Sequence, residues 1–295
     1  MEMDTLVRRR AAIPRAADRV FCRVWRGFAA FFRRETLIPV TSPGTRIYAI
    51  GDIHGRLDLL QQLLRQLEAD VGSRGARSTR IVLLGDLIDR GPHSRQVLEL
   101  VKLMQRHNRG RVVVLRGNHE EMLLAGADGH AEAQRLWLEC GGDATLRSYG
   151  LDPGAFMSLS PEKRGFTLQK EIGPDMMNWL GSLPLTWRSG DYFFCHAGVR
   201  PGVRLESQRR EDLLWIRREF LDSKRYHGAV IVHGHCEASE VDARDNRIGV
   251  DTGAYRSGEL TAVGLQDSLR WFISTKRKCL SRSDLDDALA RAAGG

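Results

Sequence analysis

Seven short apolar runs, the early ones separated by amphipathic stretches, limit what this chain can fold into. They fall at Arg46–Ile50, Ile81–Leu84, Val112–Leu115, Tyr192–Cys195, Ala229–Val232, Ile248–Val250 and Leu260–Leu265. Short runs dense in Val, Ile and Leu are what a strand buried on both faces requires. Between the first three runs, DLLQQLLRQLEAD (58–70) and SRQVLELVKLMQRH (94–107) carry leucine and valine at three- and four-residue spacing, the signature of helices with one buried stripe. Strand and helix in alternation specify an α/β fold.

The residues that follow the first five runs carry the chemistry: GDIHG (51–55), GDLIDRG (85–91), RGNHE (116–120), HAG (196–198) and HGH (233–235). If the strands lie side by side in a sheet, these tips converge at its C-terminal edge, where α/β proteins build their sites. Acids and imidazoles crowded at one edge would repel one another or go unsatisfied, and cations resolve that conflict. Asp52, His54, Asp86, Asn118, His196 and His235 offer oxygen and nitrogen donors without a thiolate. Such a set suits two divalent ions, manganese first, with iron or zinc as alternatives, better than a structural zinc or a calcium cage. Asp86 is central and is the natural bridge. His233 is a rival to His235, because strand alternation would send both imidazoles to one side. His93, His107, His130 and His227 read as ordinary loop or helix-end residues.

With these motifs in order, the chain resembles the phosphoprotein phosphatase family of metallophosphoesterases, in its bacterial serine/threonine-phosphatase branch. The likeness spans about residues 46–265 and includes WLECGGDATLRSYG (137–150), EDLLWIRREFL (211–221) and VDTGAYRSGELTAV (250–263). It implies a layered sheet sandwich flanked by helices, with the metal site at the C-terminal ends of the strands. Asp52, His54 and Asp86 would then hold one metal, and Asp86, Asn118, His196 and His235 the other. His119 would be the general acid, oriented by Asp89, while a metal-activated water attacks phosphorus. Arg90, Arg116 and Arg217 would clamp the phosphate.

The resemblance implies hydrolysis of phosphomonoesters, foremost phosphoserine and phosphothreonine in a phosphoprotein or phosphopeptide. Two alternatives stand beside it. A diadenosine polyphosphate hydrolase would share the fold and most ligands, but such relatives tend to depart from the DRG and NHE forms kept here. An inactive scaffold would not need the complete set of ligands and acid.

Charge separates the chain into regions. Residues 1–34 hold nine arginines against three acids, a net +6 of the total +8, so the body is close to neutral and a nucleic-acid partner is not expected. ADRVFCRVWRGFAAFFRR (17–34) reads as a basic amphipathic helix with three possible fates: docked on the domain, set against a membrane surface or partner, or a leader. The expected organisation is an N-terminal extension (1–45), a catalytic domain (46–275) with a cap-like helical region (121–190), and a tail (276–295). Five scattered cysteines without a CxxC pair suggest a reducing compartment, hence a cytoplasmic enzyme with peripheral membrane contact through 17–34 as a further expectation.

Overall fold

The computed structural model describes residues 38–276, so the basic segment 17–34 and all but the first residue of the expected tail lie outside the described residues. Among the described residues ten strands form two five-stranded sheets. The first has the order β10-β9-β1-β2-β3, from β1 (Thr45–Ile50), β2 (Ser78–Leu83), β3 (Val112–Val114), β9 (Thr261–Gln266) and β10 (Leu269–Ser274). Its strands β1, β2 and β3 are parallel, with β3 at the edge and α1 (Leu57–Ser73) and α2 (Ser94–His107) as crossovers. The second has the order β4-β5-β6-β8-β7, from β4 (Thr186–Ser189), β5 (Tyr192–Cys195), β6 (Val230–His233), β7 (Asp242–Ala243) and β8 (Arg247–Gly249). There β5, β6 and β8 run parallel between antiparallel edges.

Strand periodicity explains the layering. Ile47, Ala49, Val82, Leu84, Val263 and Leu265 of the first sheet meet Tyr192, Phe194, Val230, Val232, Ile248 and Val250 of the second in one inter-sheet core. Their sequence neighbours point outward: Tyr48, Ile50 and Leu83 into the leucines of α1 and α2, and Phe193, Cys195 and Ile231 into a separate cluster with Leu213 and Phe220. A period of two thus turns each continuous apolar run into two buried faces and gives helix, sheet, sheet and helix layers. The five strand tips are accordingly divided between two sheets instead of lining one edge. Three come from the first sheet and two from the second.

Between β3 and β4 the chain is helical: α3 (Asn118–Ala127), α4 (Ala131–Trp137), a π turn (Leu138–Gly142), α5 (Asp143–Ser148), α6 (Pro153–Met157), α7 (Pro161–Ile172) and α8 (Pro174–Ser182). Leu123, Trp137, Leu146, Phe156 and Leu168 belong to the same apolar cluster as α1 and α2, so this region is continuous with the first sheet's outer core. Buried Arg46 of β1 donates to the carbonyls of Val71, Arg74 and Gly75, which caps the C-terminus of α1 and fixes that helix to its strand. Three strands were not legible as apolar runs. β4 and β7 are short and polar, and β10 is an edge strand with Leu269 and Phe272 exposed. No helix among the described residues is long and apolar enough to cross a membrane.

The inter-sheet core makes a direct prediction. Phe194→Ala should lower the free energy of unfolding by about 3–5 kcal/mol, whereas Phe272→Ala on the exposed edge should cost less than about 1 kcal/mol, both read from urea denaturation.

Candidate metal centre

The seam between the two sheets gathers the predicted residues. Asp52 and His54 follow β1, Asp86, Asp89 and Arg90 follow β2, Asn118 and His119 open α3 after β3, His196 follows β5 and His235 follows β6. Six non-glycine residues have left-handed backbone among the described ones, and five are His54, Asp86, Asp89, Arg90 and His235. Such conformations cost energy for residues with a Cβ and mark sites where side-chain direction is imposed. Two glycines permit the crowding. A Cβ at Gly117 would lie 2.1 Å from Asp86 Oδ1, and one at Gly234 would lie 2.1 Å from Asp52 Oδ1.

Donor atoms of His54, Asp86 and His119 fall within 4.8 Å of one another, as do those of Asp86, His196 and His235. Asp86 is common to both groups, the position expected of a bridge. Asn118 joins the second group through Oδ1, 2.7 Å from His196 Nε2. Asp52 is not in the first group; its carboxylate accepts from the His235 backbone N–H at 3.0 Å. His233 belongs to neither. Its ring packs edge-on against Phe220 at 5.0 Å, because the chain turns left-handed at His235 and breaks the alternation that would have aligned the two imidazoles.

Tautomers follow from the outer partners. His54 Nδ1 lies 2.8 Å from the Ile88 carbonyl and His196 Nδ1 lies 2.9 Å from the Leu84 carbonyl. Each Nδ1–H therefore donates to a carbonyl and each Nε2 lone pair faces the seam. Burial keeps these rings neutral, pushing His54 down to about 3 and His235 to about 2, with His196 also lowered. Burial favours the neutral form of Asp86 too, but the imidazoles of His196, His119, His54 and His235 outweigh it and hold the carboxyl below its ordinary range.

This donor set fits divalent cations. His196 Nε2 points its lone pair at Asn118 Oδ1 and stands 3.4 Å from Asp86 Oδ1, so acceptors converge without a proton between them. His235 Nε2 is buried without any partner. Burial, Asp251 and Asp86 together push Asp52 well above the carboxylate range, a penalty that a nearby cation would reverse.

His119 is placed differently. Its Nδ1 is 2.6 Å from Asp89 Oδ2, and its Nε2 faces Asp86 and Arg90 at 3.7 and 3.4 Å. Burial alone would lower this imidazole, but the Asp86 and Asp89 carboxylates hold it above its usual value. Asp89 also accepts from Trp137 Nε1 and Thr145 Oγ1. The π turn supports its neighbour: the Arg90 backbone N–H donates to Gly141 at 3.0 Å and Nε donates to Cys140 at 3.4 Å.

The three arginines differ. Arg90 Nη1 donates to Glu237 at 3.0 Å, leaving Nη2 toward His119. Arg116 is nearly buried and directed away from the imidazoles, to Glu121 at 3.2 Å and the carbonyls of Gly181 and Leu183. Arg217 is exposed, with no side-chain partner among the described hydrogen bonds, and its charge helps to lower His196 and His235. Sequence reasoning missed Glu120, whose carboxylate accepts from the backbone N–H groups of Asp86, Leu87 and Gly117. It also missed Trp137 and Thr145 as the supports of Asp89, although both lie in the WLECGGDAT stretch.

Comparison with known proteins identifies the family. The family described as calcineurin-like phosphoesterase matches residues 45–263. Serine/threonine-protein phosphatase 1 of Salmonella typhimurium is 30% identical over 229 residues, covering 75% of this chain and 92% of that protein. The symmetrical bis(5'-nucleosyl)-tetraphosphatase of Vibrio campbellii is 30% identical over 162 residues, covering 55% of this chain and 48% of that protein, so the match spans about half of that relative. A solved cold-active protein-tyrosine phosphatase of a psychrophilic Shewanella species has a TM-score of 0.50 at 20% identity over 80% of this chain and 83% of its own, which shows the shared fold alone.

Metal uptake tests the centre. Apo-protein titrated with manganese and assayed by elemental analysis should bind two ions per chain. His235→Ala should lose one, Asp86→Asn should weaken both, and His233→Ala should retain both.

Proposed function

This chain belongs to the calcineurin-like phosphoesterase family of metal-dependent hydrolases, and we propose that its reaction is the hydrolysis of phosphomonoesters, chiefly phosphoserine and phosphothreonine in proteins. The observation that carries this reading is the His119–Asp89 pair beside Asp86. An alkoxide is a poor leaving group and needs a proton as it departs, whereas a nucleotide leaves as a stable anion. An imidazole held above its ordinary value, with Nδ1–H given to a buried carboxylate, keeps the Nε2 proton available at neutral pH. The extent of the likeness to the Salmonella phosphatase supports the same reading.

Asp52, His54 and Asp86 would hold one ion, and Asp86, Asn118, His196 and His235 a second, manganese being the first choice for this oxygen and nitrogen set. When bound, the ions would supply charge stabilisation at phosphorus and lower the pKa of water. The chain's own residues do the rest. Arg90 Nη2 and His119 Nε2 stand 3.4 Å apart, close enough for both to donate to one phosphoryl or leaving oxygen. Arg217, exposed near His196 and His235, is the second phosphate-binding residue. Arg116 is a positioning residue in this reading, since its donors go to Glu121 and two carbonyls. A dinucleoside polyphosphate is the second reading, favoured by the tetraphosphatase match.

His119→Asn should reduce kcat on a phosphoserine peptide by roughly 10²–10⁴-fold with metal content intact, and the defect should shrink on p-nitrophenyl phosphate, whose leaving group needs no proton. Loss of metal in this variant would sink the assignment. Asp89→Asn removes a carboxylate that raises His119, so the protonated acid is lost at lower pH and the alkaline limb of kcat for the peptide should move toward acid. Measured kcat/KM should favour phosphoserine and phosphothreonine peptides over diadenosine tetraphosphate; a tenfold preference for the dinucleotide, about 1.4 kcal/mol, would overturn the protein-phosphatase reading.

A further inference from the structure

We infer that Glu237 is a selectivity residue, a carboxylate that competes with the substrate phosphoryl group for Arg90 and thereby disfavours polyanionic substrates. The inference rests on the reading of Arg90 as a phosphate-binding residue. Glu237 stands between two guanidinium groups: Oε1 accepts from Arg90 Nη1 at 3.0 Å, and Oε2 pairs with Arg256 Nη2 at 2.8 Å.

Arg90 does not need Glu237 to hold its direction. Its backbone N–H is tied to Gly141 O at 3.0 Å and its Nε to Cys140 O at 3.4 Å, and its guanidinium lies 4.7 Å over the Tyr255 ring. A Cβ at Gly141 would come within 2.9 Å of Arg90 Cγ, so the stem is packed as well. What Glu237 changes is the charge. A guanidinium already paired with a carboxylate attracts an anion less, and an arriving phosphoryl oxygen near Nη2 brings its charge beside Glu237.

Arg256 makes the exchange feasible. Its side chain is 71% exposed, and it keeps Glu237 paired when Arg90 turns its donors to phosphate. Partly exposed ion pairs of this kind have small net worth, so a phosphomonoester can displace one. A polyphosphate chain brings further negative charges into the same space, and repulsion of the wrong substrate yields selectivity even where attraction to the right one is unchanged. The substrate class favoured is a single phosphoryl group on a peptide.

The test compares the full-length, manganese-loaded protein with Glu237→Gln and Arg256→Gln. Calorimetry with inorganic phosphate should give roughly two- to fivefold tighter binding for Glu237→Gln, the range expected from releasing an exposed pair, and weaker binding for Arg256→Gln, which leaves Glu237 wholly on Arg90. On substrates, Glu237→Gln should lower KM for a phosphoserine peptide with the change in KM and not in kcat. It should also raise the kcat/KM ratio of diadenosine tetraphosphate to peptide about threefold or more. Weaker phosphate binding or a higher KM in Glu237→Gln would make Glu237 a positioning residue for Arg90 and overturn the inference, as would an unchanged substrate ratio. If the wild type fails to cleave the peptide, the phosphomonoester reading falls, while the opposite-signed phosphate-binding shifts still decide the role of Glu237.

Discussion

Three backbone N–H groups from two loops end on one side chain, and the site is built around that convergence. Glu120 accepts from Asp86 and Leu87 in the loop after β2 and from Gly117 in the loop after β3. Burial and the nearby Asp86 push its carboxyl up to about 7, while those amides pull it back toward the ionised form. Asp86 itself sits at φ 49°, and its Oδ1 accepts the His119 backbone N–H at 3.1 Å. Left-handed residues of this type cost of order 1–3 kcal/mol each, so they persist only where neighbours fix them. Glu120 does so for the central loops. The carbonyls of Ile88 and Leu84 do the equivalent for the imidazoles on either side.

The two sheets contribute unlike parts. The first carries Asp52, His54, Asp86, Arg90, Asn118 and His119, in the loops after β1 and β2 and at the start of α3. The second adds His196, His235 and Glu237 from loops after β5 and β6. The group of Asp86, His196 and His235 draws on both sheets, and the apolar inter-sheet core from Ile47 to Leu265 holds the two together. Arg90 pairs with Glu237 and buried Arg116 with Glu121, whereas exposed Arg217 has no side-chain partner among the described hydrogen bonds, so the three arginines differ in how much free charge they present.

Much of this was legible in the sequence. The seven apolar runs correspond to seven strands, and the helices over 58–70 and 94–107 lie within α1 and α2, because buried runs and amphipathic spacing are local signals. The ligand types and the motif order pointed to one shared site at the strand tips for the same reason. The division of tips between two sheets was not legible, since periodicity says which face is buried and not which sheet a strand joins. His233 and His235 could not be separated by alternation, because the turn at φ 62° is a backbone event without a residue signature. Nor could Arg116 be distinguished from Arg90: the carbonyls of Gly181 and Leu183 reach Arg116 only through the packing of a helix end more than sixty residues away.

The π turn at Leu138–Gly142 has a consequence for how such an enzyme can diverge. Trp137 on one side of it and Thr145 on the other both grip Asp89, while Cys140 and Gly141 within it grip Arg90. Grafting a foreign segment across 131–148 would therefore remove the supports of Asp89, and with them the fixed orientation of His119, at the same stroke. Chimeras that retain 137–145 and exchange only outward positions beyond it, such as Leu136, are the ones that can change the neighbouring surface while leaving these contacts in place.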